Sequence, residues 1–253
     1  MKDLLTHIVL NEPMTETTNR LRVAVDWPSF DPGQFVMIDV PGNAVFLRRP
    51  FGIVGLDAGV AEICYKVVGK GTEALSVAPV GASISVLGPC GSGFKPPAKM
   101  KTALLVAGGY GIGPLFGLAS ALRRKGVEVR VFYGGRNEAH LLYLEELKRI
   151  GASLHPATED GSLGHKGFVT ELLEDGIKSA EGPALFACGP HGLLEETARI
   201  GISRNIPTQV SMEAYMACGL GVCQGCVCKD KDGGFVRTCS EGPVFDAAEL
   251  AWN

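Results

Sequence analysis

Alternating apolar and polar residues characterise the first part of the chain. At residues 21–27 the larger apolar side chains occupy every second position, which places them on one face of a strand. Short apolar runs follow at residues 35–40, 61–68 and 83–87, separated by turn pairs such as Pro32 and Gly33. This spacing predicts a small antiparallel β-barrel over residues 1–96, where a proline-rich, basic stretch marks a domain boundary.

Beyond Lys101 the pattern changes to apolar strands that alternate with helices. The candidate strands are residues 103–107, 127–133, 153–157, 184–187 and 208–212. A helix is predicted over residues 138–150, because four apolar residues recur there at every third position: Leu141, Leu144, Leu147 and Ile150. A series of β–α–β units predicts a mostly parallel sheet, covered on both faces, over residues 97–212.

An uncharged stretch at residues 102–122 is long enough to span a lipid bilayer. Its centre is rich in glycine and ends at Pro114, which favours a turn between a buried strand and a helix. We therefore expect no membrane span. The chain also starts without a recognisable secretory signal, so we expect a cytoplasmic protein whose eight cysteines are reduced.

Composition and charge narrow the range of functions. The 253 residues are 46% hydrophobic and 20% charged, as in ordinary globular proteins. The net charge of −3 gives no general attraction to nucleic acid or to anionic membranes, so we expect no nucleic-acid partner. The 34 glycines and 15 prolines indicate many tight turns and close backbone approaches.

The most specific motif is a cysteine-rich loop near the end of the chain. Cys218, Cys223, Cys226 and Cys239 follow the plant-type spacing for a 2Fe–2S cluster, C-x4-C-x2-C with a distant fourth cysteine. The interposed glycines let the loop bend around a cluster and leave backbone N–H groups free to point at the sulfurs. A zinc site is the alternative, although zinc motifs usually contain two C-x2-C pairs and this loop contains one.

Cys228 is a fifth thiol in the same segment. In an extended chain Cys226 and Cys228 point to the same side, so alternation alone does not exclude Cys228 as a ligand. The motif spacing instead favours Cys239 as the fourth ligand. Cys64 and Cys90 have a simpler interpretation as small buried hydrophobic residues.

A glycine-rich turn predicts nucleotide binding. It runs from Gly108 to Pro114, between an apolar strand and a helix that we expect to begin at Pro114. Such a turn brings bare backbone and the positive end of a helix dipole to a pyrophosphate. Pro114 stands where the dinucleotide motif G-x-G-x-x-G has its last glycine.

Two barrel segments contain further possible phosphate contacts. Gly71 and Thr72 precede a helix-prone stretch at residues 73–76, and Arg49 offers a bidentate positive charge. A turn and a surface arginine are the simpler interpretation of the same residues.

These motifs, in this order, resemble the ferredoxin-reductase family, and within it most closely the electron transfer subunits of two-subunit, NAD-linked dihydroorotate dehydrogenases. The resemblance extends over essentially the whole chain. It implies an α/β plus β fold with three parts. These are an FAD-binding antiparallel β-barrel at residues 1–96, an NAD-binding parallel-sheet α/β domain at residues 97–212 and a 2Fe–2S cluster module at residues 213–253.

The resemblance also implies site residues. The flavin and pyrophosphate contacts are Arg49, Pro50, Phe51, Gly52, Cys64, Tyr65, Lys66, Gly71 and Thr72. The nicotinamide-nucleotide turn corresponds to Gly109, Gly111, Gly113 and Pro114, and the cluster ligands to Cys218, Cys223, Cys226 and Cys239. Cys188 lies in a loop that approaches the nicotinamide and is the candidate catalytic residue. Gly52 departs from the family's serine, so a backbone N–H would replace the hydroxyl contact to the flavin.

The function implied by the resemblance is electron transfer in pyrimidine biosynthesis. Electrons from dihydroorotate, taken up by the FMN of a separate catalytic subunit, cross the cluster to FAD and reduce NAD. The chain has no room for a catalytic (β/α)8 barrel of ~250 residues, so we expect it to need that subunit. A two-fold symmetric heterotetramer is the expected assembly.

Three alternatives remain open at the sequence level. An electron transfer subunit of the same architecture could serve a sulfide dehydrogenase or a glutamate-synthase-like complex. A non-catalytic metal-binding interaction module belongs to a different class, and bound flavin would exclude it. NAD and NADP are not distinguished either, because Arg136 could contact a 2′-phosphate or an adenine.

Overall fold

Six antiparallel strands close into a barrel in the first part of the chain, as predicted. The computed structural model describes residues 1–43 and 45–252. The strands follow one another around the barrel in the order β1-β2-β5-β4-β3-β6. Their bounds are β1 Lys2–Pro13, β2 Thr18–Ala24, β3 Phe35–Asp39, β4 Arg49–Asp57, β5 Val60–Lys66 and β6 Ser83–Cys90.

The barrel has its own apolar core, and a short helix, α1 (Lys70–Ser76), lies between β5 and β6. Leu75 of α1 is buried in that core. The sequence pattern does not reveal β1, because Ile8 is the one buried residue of that strand. Its pairing with β2 and β6 supplies the hydrogen bonds that hold it in place.

A seven-stranded sheet follows, in the order β10-β9-β8-β7-β11-β12-β15. Its parallel strands are β7 Thr102–Gly108, β8 Glu128–Gly135, β9 Ser153–Thr158, β10 His165–Lys166, β11 Pro183–Cys188 and β12 Thr208–Ser211. The helices are α2 Ile112–Arg124, α3 Leu144–Arg149, α4 Leu173–Lys178 and α5 His191–Ser203. Apolar clusters cover both faces of the sheet, which confirms the predicted doubly covered parallel sheet.

The uncharged stretch at residues 102–122 divides into a strand and a helix. Its first part is β7, in which every residue is buried, and its second part belongs to α2. That helix begins at Ile112, two residues before the predicted start, so Pro114 lies in its first turn, where no N–H donor is needed. Within the described residues, no helix is long and apolar enough to cross a lipid bilayer.

The predicted helix over residues 138–150 is wrong in its first half. A single helical turn covers Glu138–His140, and α3 begins only at Leu144. Between them Leu141, Leu142 and Tyr143 are all buried, and Tyr143 has a left-handed backbone with φ 59°. A helix cannot direct three consecutive side chains into one core, so the chain leaves the helical path there.

The segment after β12 contains three short strands. Two of them, β13 (Val227–Lys229) and β14 (Phe235–Arg237), form a separate antiparallel pair. The third, β15 (Val244–Asp246), pairs antiparallel with β12 at the edge of the large sheet. The cysteine-rich segment is therefore tied back onto the nucleotide domain.

Candidate functional site

A cleft of about 940 Å3 lies between the barrel and the parallel sheet. The predicted site residues that line it are Pro50, Phe51, Gly52, Cys64, Lys66, Gly109, Gly111, Pro114 and Cys188. The cleft therefore brings together barrel residues expected at a flavin and nucleotide-domain residues expected at a nicotinamide nucleotide. The other predicted residues lie outside its lining: Arg49, Tyr65, Gly71, Thr72, Gly113 and the four cysteines of the loop.

The side chains of two predicted barrel residues form hydrogen bonds within the barrel domain and do not line the cleft. Tyr65 is buried in the barrel core, where its hydroxyl donates to Asn11 Oδ1 at 3.1 Å. The Thr72 hydroxyl accepts the N–H groups of Val68 at 2.8 Å and of Gly69 at 3.2 Å. These side chains shape the barrel and the loop before α1 rather than face the cleft.

Arg49 and Gly71 are brought together at the surface of the barrel. The Arg49 guanidinium donates to the Leu47 carbonyl at 2.6 Å. A Cβ atom on Gly71 would lie 3.1 Å from Arg49 Nε, so the two residues are in close contact. The arginine therefore lies beside the first turn of α1.

Close packing against Pro114 accounts for the glycine at position 52, where the resemblance leads us to expect a serine. A Cβ atom at this position would lie 2.9 Å from Pro114 Cγ, closer than real Cβ contacts come. The barrel strand β4 and the start of α2 therefore touch through a glycine. Any side chain here would push the two walls of the cleft apart, which leaves the backbone of Gly52 to face a ligand.

Gly111 also allows a close approach that a side chain would prevent, in this case to the loop after β11. An added Cβ atom would collide with the carbonyl group of Cys188. The glycine-rich turn after β7 thus packs directly on the loop after β11. Both turns lie at the carboxyl ends of parallel strands, where open α/β sheets bind their ligands.

Cys188 has an environment that keeps its thiol neutral. Burial raises its pKa to about 12, although a hydrogen bond with Ser211 works in the opposite direction. A neutral thiol is a small, polarisable contact surface rather than an activated nucleophile. Its place at the end of β11 suits a wall of the cleft.

Tyr110 and Glu213 form a polar pair in the cleft that sequence reasoning missed. The Tyr110 hydroxyl donates to Glu213 Oε2 at 3.2 Å, and both residues line the cleft. Burial, with the negative charge of Glu213, raises the pKa of Tyr110 to about 12. Glu213 follows closely after the parallel strand β12, and that position at a carboxyl end was the available signal.

The four predicted ligand cysteines form two pairs in the loop. Cys218 lies close enough to Cys223 for the pKa of its thiol to be affected, and the pKa of Cys239 is affected by Cys226 and by Cys218. Among the described residues, no three His, Cys, Asp or Glu side chains converge around a single point.

Backbone N–H groups point at the sulfur atoms, as a cluster loop requires. Leu220 N donates to Cys218 Sγ at 3.3 Å, and Gly221 N donates to Cys239 Sγ at 3.1 Å. Burial would raise the pKa of Cys218, but backbone N–H groups and the neighbouring Cys223 lower it to about 6. Burial and the nearby Cys226 raise the pKa of Cys239 to about 11.

Cys228 is directed away from these pairs. Its Sγ is 3.8 Å from the Val236 carbonyl within the β13–β14 pair, and its side chain packs against an apolar cluster of the nucleotide domain. This position gives Cys228 a packing role.

The cysteine loop packs against the barrel strand that faces the cleft. Cys226 and Cys239 share a small apolar cluster with Phe35 and Met37 of β3. Phe35 also lines the cleft and pairs in register with Gly52. Phe35 therefore contacts both the thiol pair and the cleft.

Comparison with known proteins places this geometry in a family. Residues 213–251 match the model of the iron–sulfur cluster binding domain of dihydroorotate dehydrogenase B, and residues 105–199 match that of the oxidoreductase NAD-binding domain. The electron transfer subunit of dihydroorotate dehydrogenase B (NAD(+)) from Enterococcus faecalis is 38% identical over 232 residues, which cover 87% of this chain and 86% of the relative. The chain belongs to this family of electron transfer subunits.

Further similarities agree with this assignment. The corresponding subunit from Geobacillus kaustophilus is 40% identical over 227 residues, with 87% of this chain and 86% of the relative covered. The structure of an NADH-dependent reduced ferredoxin-NADP oxidoreductase, described for flavin-based electron bifurcation, superposes with a TM-score of 0.88. That pair is 28% identical, with 98% of this chain and 90% of the other covered.

A ferredoxin NADP+ reductase from Neisseria gonorrhoeae with bound FAD and NADP shares the fold. It has a TM-score of 0.68 at 17% identity, with 85% of this chain and 94% of that chain covered. The predicted ferredoxin-reductase fold is therefore confirmed. The alternative of a non-catalytic metal-binding module is wrong, because the matched family consists of oxidoreductase subunits.

Proposed function

We propose that this chain passes electrons from a dihydroorotate-oxidising partner subunit through a 2Fe–2S cluster and FAD to NAD, as a step of pyrimidine biosynthesis. The observation that carries the proposal is the position of β3. Phe35 packs beside the ligand pair Cys226 and Cys239 and also lines the cleft between the barrel and the sheet. A single side chain, Phe35, thus contacts both the cluster loop and the site where a flavin would meet a nicotinamide.

The three cofactors supply complementary electron chemistry, since a cluster exchanges single electrons, a nicotinamide exchanges hydride and a flavin does both. The barrel part, residues 1–96, would hold FAD, with the backbone of Gly52 and the side chains of Cys64 and Lys66 at the cleft. Arg49, beside Gly71, would hold the FAD pyrophosphate by charge. The domain at residues 97–212 would hold NAD, and residues 213–253 the cluster.

The nucleotide turn orients the second ligand. Gly109 and Gly111 bring backbone without side chains to the cleft at the start of α2, whose positive end favours a pyrophosphate. The neutral thiol of Cys188 would contact the nicotinamide ring and exclude water from its face. The Gly52–Pro114 contact keeps the two walls close, which brings the two reacting rings together.

We favour NAD over NADP as the nucleotide. Arg136 lines the cleft, but Glu159, Glu171 and Glu196 line it as well. A 2′-phosphate there would meet more negative than positive charge. In steady-state assays we expect kcat/KM for NADH to exceed that for NADPH at least ~10-fold, which corresponds to ~1.4 kcal/mol.

The catalytic partner would dock at the cysteine loop. Apolar side chains surround the loop and are exposed: Leu220 at 48%, Val222 at 79% and Tyr215 at 97%. Cys223 is exposed in the same loop, so a partner seated there would bring its own flavin close to the cluster. We propose an FMN-containing dihydroorotate dehydrogenase subunit in a two-fold symmetric heterotetramer, in the cytoplasm, where the thiols stay reduced.

The test uses the full chain prepared without oxygen. We expect one FAD and one 2Fe–2S cluster per chain, and electron transfer from NADH to artificial acceptors. Dihydroorotate should reduce NAD only after the catalytic subunit is added. Dihydroorotate-dependent NADH formation by the chain alone would contradict the proposal, and failure to bind that subunit would favour a sulfide dehydrogenase or glutamate-synthase-like complex.

A further inference from the structure

The bend that interrupts the predicted helix joins the two walls of the cleft. Leu142 lines the cleft, and both Leu142 and Tyr143 are buried. Tyr143 adopts a left-handed backbone, φ 59° and ψ 19°, which is costly for a residue other than glycine. Strained residues of this kind persist where the surrounding contacts hold them, and here those contacts come from both domains.

On the barrel side, Tyr143 enters a charged network. Its hydroxyl donates to Glu62 Oε1 of β5 at 2.9 Å and lies near the thiol of Cys64, a cleft residue. The Arg20 guanidinium of β2 lies 5.2 Å from the centre of the Tyr143 ring. Arg20 also donates to Glu146 Oε1 of α3 at 3.2 Å, which ties that helix to the barrel.

On the nucleotide side, the same bend is bonded to the glycine-rich turn. The N–H of Leu142 donates to the hydroxyl of Tyr133 at 2.9 Å. That hydroxyl donates in turn to the carbonyl of Gly109 at 2.9 Å. A continuous path therefore runs from Gly109 through Tyr133, Leu142 and Tyr143 to Glu62 of the barrel.

We propose that Leu142 and Tyr143 position the nicotinamide nucleotide against the flavin. The inference rests on the proposed function and adds residues that touch neither ring in that scheme. Tyr143 fixes the barrel wall through Glu62, and Leu142 fixes the nucleotide turn through Tyr133. Because the two residues are adjacent in the chain, a nucleotide that orders the turn also orders the flavin wall.

The first test replaces the two tyrosines singly and together. Tyr143→Phe retains the ring above Arg20 and removes the hydroxyl, so we expect the Kd for NADH to rise about 3- to 10-fold. The change that NAD causes in the visible spectrum of the bound flavin should weaken with it. Tyr133→Phe should raise the Kd for NADH by a similar factor. In the double variant the Kd should rise by less than the product of the two single factors, because the two residues act through one path.

A second pair of variants keeps the test independent of Tyr143. Glu146→Gln weakens the bond to Arg20, whereas its neighbour Glu145 pairs only with Lys148 on the same helix. We expect Glu146→Gln to raise the Kd for NADH and Glu145→Gln to leave it unchanged. Thermal unfolding of each variant checks that it is folded.

Two results would overturn the inference. One is a lower unfolding temperature in Tyr143→Phe and Glu146→Gln with wild-type NADH affinity and wild-type flavin spectra, which would give these residues a purely structural role. The other is a Kd for NADH in the double tyrosine variant that rises by the full product of the two single factors, which would show that the two tyrosines act independently. If the wild-type chain itself bound no flavin or gave no response to NADH, the proposed function would fail instead.

Discussion

Two cysteines show how single residues acquire opposite chemistry from their surroundings. Burial raises the pKa of Cys188 to about 12, which keeps a neutral thiol in the cleft. Burial acts in the same direction on Cys218, but backbone N–H groups of its loop outweigh it and lower the pKa to about 6. The loop backbone, together with Cys223, therefore favours the thiolate of Cys218, which is the form that a metal binds.

Replacement of individual cysteines tests the ligand assignment. Cys223→Ser removes one member of the Cys218–Cys223 pair, so we expect loss of bound iron and labile sulfide. Cys228→Ser changes a thiol that packs between β14 and an apolar cluster, so the cluster should be retained. Iron and sulfide analysis with visible absorbance measures both. Cluster loss in Cys228→Ser would show that the fourth ligand is wrongly assigned.

Gly52 allows a matched test of close packing. In Gly52→Ser the new Cβ would meet Pro114, and we expect a loss of ~1–3 kcal/mol in the free energy of unfolding. NADH affinity should fall as well, because the walls of the cleft move apart. Gly55→Ser, in the same strand, places its Cβ in open space and is the control. Equal urea unfolding midpoints for the two variants would contradict the packing argument.

At the scale of elements, β15 binds the cysteine-rich segment to the nucleotide domain. Phe245 of β15 is buried in the apolar cluster that also contains Val210 of β12. Phe235 of β14, in the same segment, is 63% exposed. Phe245 of the buried strand therefore provides an anchoring contact that the exposed Phe235 does not provide.

The two phenylalanines give the corresponding prediction. Phe245→Ala should reduce the free energy of unfolding by ~3–5 kcal/mol, because it removes a buried ring and leaves a cavity. Phe235→Ala should change it by less than ~0.5 kcal/mol. Denaturant titration followed by circular dichroism compares them. A similar loss in both variants would mean that β15 is not the anchor.

At the scale of the whole molecule, a buried thiol and a buried phenol make the free energy of unfolding decrease at alkaline pH. Burial raises the pKa of Cys64 from 9.0 to about 12 and that of Tyr65 from 10.0 to about 12. At pH values between the ordinary and the raised pKa of each group, the unfolded chain loses a proton that the folded chain keeps. The unfolded state then binds fewer protons, so stability falls as pH rises.

We therefore expect the contribution of Cys64 and Tyr65 to the free energy of unfolding to be steady near pH 8 and to decline above pH 9.0, the ordinary value for the thiol. At about pH 10.5, Cys64 alone should account for a loss of about 2 kcal/mol. Urea unfolding at the two pH values measures the difference, and Cys64→Ala should reduce it. A constant or rising stability would contradict the burial argument.

Local patterns in the sequence were sufficient to predict the barrel and the parallel sheet, and to indicate a cluster loop and a nucleotide-binding turn. The spacing from Cys218 to Cys239, the glycine-rich turn after an apolar strand and the alternation of strands with helices all depend on residues close together in the chain. Such patterns predict an element because the side chains of one helix or strand share a face. The barrel, the parallel sheet and the family followed from them.

Contacts between distant residues were decided by the tertiary structure alone. The bend at Tyr143, the Tyr110–Glu213 pair and the return of β15 to β12 join residues that no local period relates. The position of Phe35 between the thiol pair and the cleft is of the same kind. The sequence determined which side chains and turns are available, whereas packing of the barrel on the sheet determined which of them meet, because burial depends on partners far away in the chain.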